Sequence, residues 1–129
     1  MRSDSGTLVI LGRPDEYTAE QWLRRDGDTR TPALAETSRC DEWGCTARGA
    51  NGRTVALSLR AGALFDDCVR ADVVVGAVPI RQPCPRARVI VDRSAVARGG
   101  ALALWLGDGE TRRESVAEIR GVRPWSRPQ

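Results

Sequence analysis

The 129-residue chain contains no histidine and no lysine. Without imidazole it lacks the commonest general base and the commonest metal ligand. Serine–histidine and cysteine–histidine catalysis therefore cannot be assembled within it. No apolar run approaches the roughly 20 residues that a membrane-spanning helix needs. The stretch Thr7 to Leu11 is too short for the hydrophobic region of a signal peptide. If the domain works outside the cytoplasm, another part of a longer protein is expected to carry it there. There is no Gly-x-Gly-x-x-Gly and no Walker-type loop, so no nucleotide site is expected, and Gly107-Asp108-Gly109 reads as a turn. Aromatic residues make up only 5%, and four of the six are Trp, which leaves the core to Val, Leu, Ile and Ala.

What is present is an ordinary globular balance, 41% apolar and 29% charged. The length fits a single domain, able to bury roughly two-thirds of its unfolded surface without help from a ligand. All 20 basic residues are Arg. Codon usage in a GC-rich genome accounts for that plainly, while the guanidinium fork also suits phosphate recognition. A net charge of +3 does not decide between them. Non-specific DNA binding requires a localised basic patch.

Periodicity gives a series of short elements. Thr7–Leu11 predicts a buried strand. A helix capped by Asp15 or Thr18 runs through Glu20, Trp22 and Leu23 to near Gly27. Asp28 to Ser38 reads as a polar loop. Asn51-Gly52 lies between two extended runs and predicts a hairpin, because both residues tolerate positive φ. Val55, Leu57 and Leu59 then share one face. Ala61 to Arg70 predicts a helix with Leu64, Phe65, Cys68 and Val69 inside. Asp72 to Val78 is a nearly continuous apolar strand, of the kind buried on both faces. Pro79 to Arg86 carries three prolines and predicts an irregular loop. Ala87 to Asp92 follows as a strand. Arg93 to Arg98 predicts a short helix capped by Asp92 or Ser94 and stopped by Gly99-Gly100. Ala101–Leu106 predicts a strand, Ser115–Ile119 alternates like an edge strand, and 120–129 is a basic, proline-containing tail. This alternation predicts an α/β domain, a layered sheet with flanking helices.

Four cysteines admit three readings. Cys40 and Cys45 flank a four-residue turn and are able to face each other across its mouth. Cys68 lies on a helix and Cys84 in the loop after the next strand, so packing of one on the other brings them together. Disulfides Cys40–Cys45 and Cys68–Cys84 would contribute roughly 2 and 3 kcal/mol on the chain-entropy model, and suit an extracytoplasmic compartment. A four-thiolate zinc site is disfavoured by the second spacing, which is far from Cys-x2-Cys. Buried free thiols are the third reading.

The paired carboxylates Asp66-Asp67 and Asp41-Glu42 are expected to be solvated, since adjacent helix positions point apart. Two basic clusters remain. One is Arg81, Arg86 and Arg88 around the proline loop. The other is Arg120, Arg123 and Arg127 around Trp125. An aromatic flanked by Arg can stack on a base while guanidiniums hold phosphates. The plainer expectation for the second cluster is that Trp125 packs back on the domain and the arginines keep a terminus soluble.

Several ordered segments resemble the C-terminal region of alphaproteobacterial ComEC competence proteins. They are Trp22-Leu23-Arg24-Arg25-Asp26-Gly27-Asp28, Arg39-Cys40-Asp41-Glu42-Trp43-Gly44-Cys45, and Phe65-Asp66-Asp67-Cys68-Val69-Arg70-Ala71-Asp72-Val73-Val74-Val75. Pro79-Ile80-Arg81, Cys84, Val89-Ile90-Val91-Asp92-Arg93, Gly100-Ala101-Leu102-Ala103 and Arg123-Pro124-Trp125 continue the series over most of the chain. The resemblance implies a single soluble domain, residues 1–129, that follows a transmembrane DNA-uptake channel and is related to the metallo-β-lactamase fold in reduced form. Family members with an intact hydrolase domain hold metal through histidine and aspartate. One histidine-containing segment there follows a strand resembling Ala71 to Val75, where this chain has Gly76-Ala77-Val78-Pro79.

The resulting expectation is a non-catalytic accessory domain with no cofactor and no catalytic or metal residues, attached to the inner membrane on its periplasmic side. Its partners would be the channel part of the same protein and single-stranded DNA, with no small-molecule substrate identified. Two alternatives stand beside it. One is a divergent metal-dependent nuclease using Asp66, Asp72 and Asp92. The other is a purely structural channel-assembly module.

Overall fold

The computed structural model describes residues 1–2, 8–12, 14–32, 38–107, 111–121 and 124–126. Helix α1 (Glu16–Arg25) begins where the Asp15 carboxylate accepts from the Thr18 amide at 2.9 Å, and buries Ala19 and Leu23. These two form a small core with Ile10, against which Leu8 packs. The preceding apolar run does not become a sheet strand, and Thr7 lies outside the described residues. Leu8 makes one isolated antiparallel bridge with Arg2, while Val9 and Ile10 are buried. The Val9 amide donates to the Met1 carbonyl at 2.7 Å and the Met1 amine donates to the Val9 carbonyl at 2.8 Å, so pairing with the first residues and burial against α1 together satisfy this segment.

The main sheet has five strands in the order β1 (Arg39–Cys40), β2 (Gly44–Arg48), β3 (Thr54–Ser58), β4 (Val73–Gly76) and β5 (Val89–Val91). The first three are antiparallel neighbours and the last three run parallel. The β2–β3 hairpin closes at Asn51-Gly52, with φ of 63° and 66°. These are the left-handed values that Asn and Gly accept most readily. At the other end, Gly44 pairs with Ser58, and a Cβ there would stand 2.2 Å from the Leu57 carbonyl oxygen. Only glycine permits that approach.

Between β3 and β4 the chain makes a 3-10 turn (Ala61–Ala63) and helix α2 (Leu64–Arg70). This helix covers one face of the sheet. Ala56 and Val74 there meet Leu64, Cys68 and Ala71, with Val78, Ile80, Cys84 and Ala87 packed around them. Phe65 and Val69 do not join the core and stay 79% and 55% exposed. A helix of only 7 residues presents one narrow stripe to the sheet. That stripe is Leu64 and Cys68, the latter bridged to Cys84, one position round from Phe65 and Val69. The opposite sheet face carries Val55, Leu57, Val73 and Val75. It borders an apolar groove of about 560 Å³ shared with Ile10 and Leu104.

Asp92 caps helix α3 (Arg93–Gly99), which leads to β6 (Leu102–Leu106). This strand pairs antiparallel with β7 (Thr111–Ser115) as a separate two-stranded sheet. The alternating run Ser115–Ile119 is therefore not an edge strand. Ser115 is the last residue of β7 and the cap of helix α4 (Val116–Arg120). The Ser115 amide donates to the Glu118 carboxylate at 2.6 Å, and the Glu118 amide donates to the Ser115 hydroxyl at 3.2 Å. That reciprocal capping box decides for helix. The architecture is thus a mixed α/β one, a five-stranded mixed sheet with flanking helices. Among the described residues no helix is long and apolar enough to cross a membrane.

Candidate functional site

Disulfides join Cys40 to Cys45 and Cys68 to Cys84. The first is a cross-strand bridge at the Cys40↔Cys45 register pair of β1 and β2. The second ties α2 to the loop between β4 and β5. Two such bridges fit an oxidising compartment, periplasmic or extracellular.

That second loop, residues 77–88, has three prolines and no ladder of its own, yet it is anchored along its length. The Ala77 amide donates to the Ser58 carbonyl at 2.9 Å and the Ile80 amide to the Asp92 carboxylate at 3.2 Å. Cys84 is bridged to Cys68. The Arg86 amide reaches the Cys68 carbonyl at 3.4 Å, and the Arg88 amide reaches the Asp72 carbonyl at 2.8 Å. Arg81, Arg86 and Arg88 all project from this pinned loop and are exposed. Arg86 also lies 3.5 Å from an Asp72 carboxylate oxygen. The first arginine cluster is therefore carried on fixed backbone, with Arg81 and Arg88 exposed and Arg86 exposed but paired with Asp72.

The second cluster is only partly within the described residues. Arg120 is exposed in the last turn of α4. Trp125 sits in a 3-10 turn (Pro124–Ser126) and is 78% exposed. Arg123 and Arg127 lie outside the described residues.

The carboxylates serve local structure. Asp92 accepts from the amides of Ala95 at 2.9 Å and Ile80 at 3.2 Å. These bonds, the Ala95 one foremost, hold its carboxyl below the ordinary aspartate range. Asp72 accepts from the Thr54 amide at 2.9 Å. Asp41 accepts from the amides of Trp43 and Gly44, and Asp67 from the Ser58 hydroxyl at 2.6 Å. Asp66, Asp67, Asp41, Arg39 and Trp43 line a groove of about 480 Å³ between the Cys40–Cys45 bridge and α2. Asp66 and Asp67 lie together on that groove, while Asp72 and Asp92 are committed elsewhere to a strand end and a helix cap. Among the described residues no three His, Cys, Asp or Glu side chains converge to share an ion.

The sequence reading missed one arrangement. On β6 the side chains of Leu102, Leu104 and Leu106 are half-buried, while Ala103 and Trp105 face outward. Trp105 pairs across the hairpin with Arg112, whose guanidinium carbon lies 4.0 Å from the centre of the indole ring. Arg60 stands over Trp43 more distantly, at 5.7 Å. The Trp105–Arg112 pair follows from the β6–β7 register, which becomes visible only when residues 111–115, rather than 115–119, are taken as the strand.

Comparison with known protein families, with curated proteins and with solved structures finds no match to this chain.

Proposed function

We propose that the chain is a non-catalytic accessory domain of a ComEC-type DNA-uptake channel. It works on the periplasmic side of the inner membrane and contacts single-stranded DNA through the Arg81–Arg88 loop. The observation that carries this reading is that loop: three exposed arginines, one of them paired with Asp72, on a segment held by a disulfide and by hydrogen bonds at both ends. A phosphate backbone is recognised at least entropic cost by charges whose backbone is already fixed. The two disulfides support the compartment. Gly76-Ala77-Val78-Pro79, from the last residue of β4 onward, stands where hydrolytic ComEC proteins carry histidine, which supports a reduced metallo-β-lactamase-like fold without its metal chemistry.

The test is a titration of single-stranded oligonucleotide against the chain over a range of salt concentrations. Each phosphate contact on a single strand contributes about 0.7 to the slope of log affinity against log salt. The triple variant Arg81→Gln, Arg86→Gln, Arg88→Gln is expected to lower that slope by about 2 and to weaken binding at every salt concentration. An unchanged slope and affinity would remove the loop from the interface and leave the structural-module reading in its place.

A further inference from the structure

The sheet face that α2 leaves uncovered looks toward the β6–β7 hairpin, and an apolar groove of about 560 Å³ lies between them. Val55 and Leu57 of β3 and Val73 and Val75 of β4 line it from the sheet side. Leu102, Leu104 and Leu106 of β6 line it from the hairpin side. Every described side chain around the groove is apolar. Val55 and Val73 are buried, but Leu57 and the three leucines of β6 are only half-buried and still meet water. Apolar surface gathered into a concave site and left wet marks a place where something else binds.

A polar border runs along one side of the groove. Residues paired directly across a hairpin share a face, so Thr111, Arg113 and Ser115 of β7 stand beside Leu106, Leu104 and Leu102. Arg113 is exposed, and among the described residues no carboxylate forms an ion pair with it. Glu118, which feels its charge, is already held by the Ser115 amide at 2.6 Å.

We propose that the groove is a binding site for a fatty acid, with one alkyl chain inside and its carboxylate at Arg113 on the border. The lining selects the chain. It offers no hydrogen-bonding side chain, so a peptide or a nucleobase would bury polar groups without partners. The border selects the head, because a lone guanidinium beside an apolar wall complements a single negative charge. The volume lies in the range of small-molecule sites, and one charge with one apolar space fits a single-chain acid.

The experiment titrates dodecanoate, below its micellar concentration, into the chain and follows the heat released. Dodecyltrimethylammonium and butyrate serve as matched probes. Dodecanoate is expected to saturate a single site. The cationic chain should bind about tenfold more weakly, because attraction to a solvated guanidinium becomes repulsion. Butyrate, which has the charge without the chain, should not saturate. Arg113→Gln should bring the anionic and cationic chains to within about twofold of each other. Leu104→Trp and Leu57→Phe, which fill the groove from its two sides, should each abolish binding of dodecanoate. Thermal unfolding checks that each variant is folded. Absence of saturation by dodecanoate, equal affinity of wild type for the two charged chains, or undiminished binding in a folded filling variant would overturn the proposal. Retention on phosphatidylglycerol vesicles without capture of the free acid would also overturn it, and would assign the groove to a membrane surface. The 77–88 loop packs around the core on the other sheet face, so oligonucleotide binding at its arginines stands or falls separately.

Discussion

Replacing Cys68 and Cys84 together by alanine is expected to lower the free energy of unfolding by about 3 kcal/mol, measured by urea denaturation of the non-reduced protein. The bridge closes a loop across a sequence separation of 16, and releasing that loop enlarges the unfolded ensemble. The native side adds to the cost, because Cys68 is 2% exposed and Cys84 packs against the same core. The matching replacement of Cys40 and Cys45, separated by 5, should cost less, about 2 kcal/mol. The order of the two effects is the informative result. If the short bridge proved the costlier, the anchoring of the 77–88 loop would rest on its hydrogen bonds and on Asp72 and Asp92 rather than on sulfur.

Leu64→Ala is expected to cost about 2–5 kcal/mol, and Phe65→Ala, its neighbour in sequence, less than about 0.5 kcal/mol. Leu64 is 1% exposed beneath the sheet, and Phe65 is 79% exposed. Truncating the first leaves a cavity among Ala56, Cys68, Ala71 and Val74. Truncating the second removes atoms that already touch water. Comparable losses for the two would mean that α2 sits on the sheet in a different rotation. The comparison therefore tests the helix facing directly.

Much of the fold was legible in the residues. The Val73–Val75 run announces a strand buried on both faces, and the structure places it at the centre of the parallel part of the sheet. Asn51-Gly52 announces the hairpin, and of the cap candidates Asp15 or Thr18 and Asp92 or Ser94 the structure uses Asp15 and Asp92. What failed did so for identifiable physical reasons. Leu64-Phe65 and Cys68-Val69 offer two adjacent apolar stripes, and in a helix of 7 residues periodicity alone cannot choose between them. Ser115 and Glu118 carried a capping-box spacing, but the alternation of Val116 and Glu118 also imitates a strand. That error hid β7, and with β7 it hid the partner of Trp105. Thr7–Leu11 had strand composition, yet its described part pairs only with Met1 and Arg2 and lies against a helix instead of joining a sheet. The arginines of the proline loop could be named from sequence. Their fixed backbone could not, because it depends on Asp72 and Asp92, which are contributed by the ends of two other elements.

The placement of the indoles has a spectroscopic consequence. Trp22, Trp43 and Trp105 are each about half covered, Trp22 by the apolar groove, whereas Trp125 is 78% exposed. Loss of the fold moves the first three rings into water, so their emission is expected to shift to longer wavelength while that of Trp125 changes little. Intrinsic fluorescence therefore follows unfolding of this chain through its three half-covered rings.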